Sequence, residues 1–218
     1  MKRPVTWYSL LAGVSILFIL YALAKNYLFD PGAESFLSHK TVLKRELNLR
    51  VWLNVMYVHV AFACVAMLAG LLNFSNRFFE KKRKLHRING YVYIVSVLIV
   101  VVTSGYMAPH ATGGKISSMG FNMMNLIWSF ITIMAFVQIK KIQVIRHRNW
   151  MIRSYAFCFT NMTIHLLTSL FHHGFGFTYA GSYTIGVYGA IALLLIIPEI
   201  IIRTVGRPRF ISKSDECF

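Results

Sequence analysis

Histidine is the residue in this chain whose type and placement could do chemistry. Eight histidines occur in a 218-residue sequence that is 56% hydrophobic and 14% charged. An ionisable residue at membrane depth is a functional-site hypothesis by default, because placing it in hydrocarbon is expensive. His59, His86, His147 and His165 are the four that stand out. Neutral imidazoles on facing helices are what a b-type haem takes as axial ligands, and a helix-bundle core is a usual place for that cofactor. Imidazole also suits copper and zinc, so the same four residues are candidate metal ligands. Arg87, Arg148 and Arg153 could pair with haem propionates.

These side chains need elements to hold them, and the composition puts those elements in a bilayer. Soluble domains carry about 25% charged residues, well above the share found here. A net charge of +16 would on its own suggest nucleic acid as a partner. The charges, however, sit in short clusters between long uncharged stretches, which excludes nucleic acid and leaves the lipid bilayer as the partner. Crossing a hydrocarbon core of ~30 Å takes roughly 20 helical residues. Uncharged runs extend over Pro4–Ala24, Val51–Asn76, Ile88–Gly114, Ile116–Ile139 and Ser154–Pro198. The last is too long for one crossing, and the glycine- and aromatic-rich stretch from Phe171 to Ser182 divides it. The expectation is an all-α, multi-pass bundle forming one integral membrane domain over 1–218. Its six spans fall at about 5–27, 51–74, 88–109, 118–139, 151–172 and 184–203.

An even number of crossings leaves both termini on one side. Seventeen lysines and arginines fall on that side and six on the other, so the positive-inside rule puts both ends in the cytoplasm of a cell-membrane protein. The uncharged run after Lys2-Arg3 is long for a signal-peptide core, so the first helix is expected to be retained. Between spans one and two, Phe36, Leu37, Leu43 and Leu47 alternate with Lys40, Lys44 and Glu46, a pattern for a short helix on the membrane surface. Cys64, Cys158 and Cys217 form no Cys-x-x-Cys pair, which argues against a disulfide framework or a thiol-only metal site.

Helices in lipid associate through small residues and interhelical hydrogen bonds, so polar residues at helical spacing should mark the inward face. Span two carries His59, Ala63, Ala66, Gly70 and Asn73, a small-residue lane that would leave room for a flat macrocycle. Span three carries Asn89, Ser96, Thr103 and His110; span four Asn122, Asn125, Ser129 and Thr132; span five Ser154, Asn161, His165, Thr168 and His172. Spans one and six lack such stripes, so spans two to five are expected to form a four-helix core. At 1.5 Å per residue, His59 lies ~13 Å inward from Arg50 and His165 ~18 Å outward from Arg153, both in the outer half. His86 and His147 share the inner face on spans three and five, diagonal partners in an up-down bundle. Two haems in tandem would then carry electrons across the membrane. Glu199, the sole acidic residue within an expected span, should pair with Arg203 four residues on or with Arg153.

No Gly-x-x-x-x-Gly-Lys loop, His-Glu-x-x-His helix or catalytic carboxylate pair is present, so a soluble-type hydrolase has no residues to stand on. Leu85-His86-Arg87-Ile88-Asn89-Gly90-Tyr91-Val92-Tyr93 opens span three. His147-Arg148-Asn149-Trp150-Met151-Ile152-Arg153-Ser154-Tyr155 opens span five. Together with a histidine in span two, these segments resemble a bacterial membrane family, domain of unknown function 2306, over roughly residues 50–205. The resemblance implies a multi-pass membrane location. The layout is also similar to that of the ascorbate-reducible transmembrane cytochromes b, in which diagonal helix pairs carry haem ligands. This chain departs from that pattern in lacking a span-four histidine to face His59. The residues leave two functions open. One is a b-type haem protein moving electrons to or from a quinone or a membrane redox partner. The other is a non-enzymatic assembly, metal-handling or small-solute transport protein.

Overall fold

The computed structural model describes residues 7–34, 38, 48–75 and 83–205. The surface helix expected over Phe36–Leu47 and the expected loose tail after Arg203 lie largely outside these residues, as does His39. Among the described residues the chain is helical throughout, without strands. We number the helices α1 (Trp7–Leu23), α2 (Leu49–Asn73), α3 (Arg83–Met107), α4 (Gly114–Lys140), α5 (Val144–Ala156), α6 (Thr160–Ser169) and α7 (Tyr179–Val205). Short π-helical turns extend α1 through Ala24–Phe29 and α6 through Leu170–Gly174.

Five of these stretches are long and apolar enough to cross a membrane. The fifth span expected from the sequence corresponds to α5 and α6, joined end to end by a 3₁₀ turn at Phe157–Phe159. The outside of the bundle is apolar: Leu17, Val102, Leu126 and Leu166 are all more than half exposed. On a soluble protein such a surface would be an aggregation liability, and in a bilayer it is the solvated face.

Turn chemistry sets the ends. The Asn48 side chain accepts from the Val51 amide at 3.3 Å and caps α2. Gly113, at φ +87°, takes a left-handed conformation before α4, where a Cβ would overlap the hydroxyls of Ser117 and Thr184.

The expected stripes meet between neighbouring spans. Asn89 donates to the Ala69 carbonyl at 2.7 Å and to Asn73 Oδ1 at 2.9 Å, tying α3 to α2. Thr132 and Ser154 hydroxyls lie 2.7 Å apart, tying α4 to α5. The core runs through α2 to α7, with Met67, Tyr93, Val97, Phe157, Ile164 and Val187 among its most enclosed members. The helix α7 adds Tyr183, Val187, Ala190, Ile191 and Leu194 to this core, a share that its lack of a polar stripe did not signal. By contrast the apolar side chains that α1 adds, such as Leu11, Phe18 and Ile19, are only partly buried, although its Ser15 is enclosed and lies 3.0 Å from the Tyr155 hydroxyl.

The small-residue lane of α2 is used for packing. A Cβ on Gly70 would overlap the Tyr155 ring and stand 3.2 Å from the ring of Tyr93, both buried. The room expected there for a macrocycle is therefore occupied by two tyrosines. Gly70→Ala should force these enclosed rings apart and lower stability by about 1–3 kcal/mol, the usual cost of overpacking. Thermal or denaturant unfolding in detergent reads the change; a variant as stable as the parent would mean the helices separate freely at this crossing.

Candidate functional site

At the end of the bundle that carries Lys140, Arg146 and Arg203, the basic end, stand two of the four expected histidines. His86 sits in the first turn of α3 and His147 in the first turn of α5, and the two imidazoles are close enough to interact electrostatically. Both are half-buried. The Nδ1 atom of His147 lies 2.8 Å from the Ala135 carbonyl oxygen on α4. A carbonyl only accepts, so Nδ1 carries the proton and donates, and the lone pair is on Nε2. A backbone acceptor behind the ring is the arrangement that fixes tautomer and orientation in imidazole ligands.

The arginines divide. Arg148 is exposed beside His147. Arg153 donates from Nη2 to Glu199 Oε2 at 2.7 Å and lies over the Trp150 ring, 5.0 Å from its centre. Glu199 Oε1 also accepts from Arg203 Nε at 3.0 Å. Both partners foreseen for Glu199 are present, and Arg153 is committed to that carboxylate.

The outer pair does not share surroundings. His59 Nδ1 is 3.0 Å from Thr103 Oγ1 on α3. The Thr103 hydroxyl proton is directed to the Ile99 and Val100 carbonyls, so its oxygen accepts from His59. His165 instead lines a groove with Phe18, Tyr21, Met162 and Leu166 and has Lys25 as an electrostatic neighbour. The expected inward stripe of span five is split as well. Ser154 and Thr168 are buried, while Asn161 and His165 are exposed on the outside of the bundle. The 3₁₀ turn at Phe157–Phe159 explains the split. Three residues advancing ~120° each instead of ~100° rotate everything beyond them by roughly 60°.

At the far end, the rings of His172 and His173 lie 4.7 Å apart, and His172 Nδ1 is 2.8 Å from the Phe177 carbonyl. His110 tilts against Tyr106 at 6.5 Å. Met124 is packed in the core and Met123 is exposed. Among the described residues, no group of three or more His, Cys, Asp or Glu side chains converges as a metal site.

One polar cluster was only half visible in the sequence. Ser154 Oγ contacts Tyr93 OH at 2.7 Å, Thr132 Oγ1 at 2.7 Å and Trp128 Nε1 at 3.2 Å, and joins α3, α4 and α5 at one point. Stripe spacing finds Thr132 and Ser154 but passes over Tyr93 and Trp128, because aromatic residues read as apolar. Tyr93 stands four residues after Asn89 and three before Ser96, on the same helix face, and that register was the available signal.

The model of a family described as "Predicted membrane protein (DUF2306)" matches residues 56–202, well over half of the chain. No curated protein and no solved structure gives a significant match.

Proposed function

Given that the chain belongs to the DUF2306 family of predicted membrane proteins, we propose that it is a cell-membrane electron-transfer protein holding a b-type haem between His86 and His147. Its basic end faces the cytoplasm, as the positive-inside rule requires. The observation that carries this reading is that imidazoles from two separate spans stand at the same end of the bundle, each in the first turn of its helix and within electrostatic reach of the other. One of them is already oriented with Nε2 as its coordinating atom.

Two axial imidazoles complete a haem iron, whose other four ligands come from the macrocycle. A zinc ion takes three or four protein ligands, and the described residues do not gather that many around either histidine. The donor set therefore favours haem over copper or zinc. Exposed Arg148, one residue from His147, is positioned for a propionate. The electron partner on this reading is a membrane quinone or a membrane redox protein.

Haem and metal content of the full chain, purified in detergent from haem-replete cells, separates the readings. The proposal expects about one haem per chain and no stoichiometric copper or zinc. Metal without haem would support the metal-handling alternative. Neither would leave a helical membrane protein without a redox role.

A further inference from the structure

The fifth span presents polar side chains where acyl chains should meet hydrocarbon. Asn161, His165 and Ser169 follow one another at intervals of four residues on α6 and are all exposed. Residues at that spacing stand one above another on one helix face. The adjoining face, with Ile164 and Thr168, is buried. A polar edge turned toward lipid is costly unless something polar meets it.

The surroundings of His165 define what could. It lies on the wall of a groove of about 280 Å³ between α1 and α6, with Phe18 and Tyr21 on one side and Met162 and Leu166 on the other. The Phe18 and Tyr21 rings are stacked, with centres 6.3 Å apart. Lys25, one turn beyond Tyr21, adds a positive charge near the imidazole. A helix, about 10 Å across with its side chains, is too wide for a groove of this size, whereas a single six-membered ring is not. Aromatic and thioether walls suit the faces of a flat conjugated ring. A ring N–H and a nearby cation suit an uncharged, electron-rich carbonyl oxygen on its edge.

We infer that this groove binds the head ring of a membrane-dissolved quinone, with the His165 imidazole donating to one quinone carbonyl and the isoprenoid tail leaving between α1 and α6 into the acyl chains. The inference deepens the proposed function and rests on it for the choice of a quinone, while no residue of the groove belongs to the His86–His147 pair.

The test is calorimetric titration of decylubiquinone into the full chain in phosphatidylcholine nanodiscs. Saturable binding is expected, at least tenfold weaker for His165→Ala. His165→Gln, which keeps an N–H donor, should stay within about threefold of the parent. Haem content is read on the same preparations: quinone binding by haem-free parent protein, or haem without quinone binding, tells failure of the haem site from failure of this one. Absence of saturable binding, or equal affinity in parent and His165→Ala, would overturn the inference. A dimer of the parent that His165→Ala dissociates would overturn it too, by assigning the groove to a second copy of the chain.

Discussion

Alanine in place of His147 should remove most of the haem from the purified protein, leaving at most a minor five-coordinate population held by His86. The expectation rests on the hydrogen bond behind the ring. With Nδ1 spent on the Ala135 carbonyl, the imidazole has one orientation and one coordinating atom, so nothing else on α5 substitutes for it. Partners of this kind cost about 10–100-fold in affinity when removed, and deleting the ligand itself should cost at least as much. His86→Ala should give the same phenotype from the α3 side, because neither ligand alone spans the site. His59→Ala serves as the control. His59 is engaged with Thr103, so its loss should lower stability and leave haem content nearly unchanged. Haem-to-protein ratios for the three variants decide the matter. Equal loss in all three would mean that haem follows global folding rather than the inner pair.

The second large effect concerns stability and is expected for Ser154→Ala. Ser154 is fully buried and is the single point where Tyr93, Thr132 and Trp128 meet. Alanine is close in volume, so the change removes the hydroxyl with little disturbance of packing. Thr132 keeps its bond to the Trp128 carbonyl at 2.8 Å, but the Tyr93 hydroxyl and the Trp128 indole N–H lose their serine partner together. Two buried donors at about 1–1.5 kcal/mol each give a loss of about 2–3 kcal/mol. Hydrogen bonds between membrane helices average nearer ~0.6 kcal/mol, so a loss of about 1 kcal/mol sets the lower edge. Equilibrium unfolding in mixed micelles measures it. A value indistinguishable from the parent would mean that the cluster adds no net stability.

Most of the fold was legible because the bilayer fixes a length scale: each uncharged run of twenty-odd residues had to become a crossing. The interhelical bonds of Asn89, Thr103 and Thr132 were legible for a related reason, since a polar side chain inside a bundle has few places to find a partner. The break in the fifth span was not. The turn-forming residues Phe157, Cys158 and Phe159 include neither glycine nor proline, so nothing local marks a tightened turn. A small rotation was enough to move Asn161 and His165 from the interior to the outside.

The weight of α7 in the core is marked by small residues rather than by a polar stripe. Ser182, Gly186 and Ala190 are small residues spaced by four, all buried, and a Cβ on Gly186 would press to 3.0 Å from the Ile164 carbonyl. That close approach of backbones is how apolar membrane helices pack, and its signature was present in the sequence. At the candidate site, the placement of His86 and His147 at one end of the bundle was readable from topology alone. The hydrogen bond that orients His147 was not, because it ends on a backbone carbonyl that no residue type announces.

The reduced-minus-oxidised absorption spectrum of the detergent-purified full chain bears most directly on the proposal that His86 and His147 hold haem. Two imidazoles on one iron predict a sharp α-band and a shifted Soret peak on reduction, both diminished in His147→Ala. A preparation from haem-replete cells with a flat difference spectrum would contradict the account.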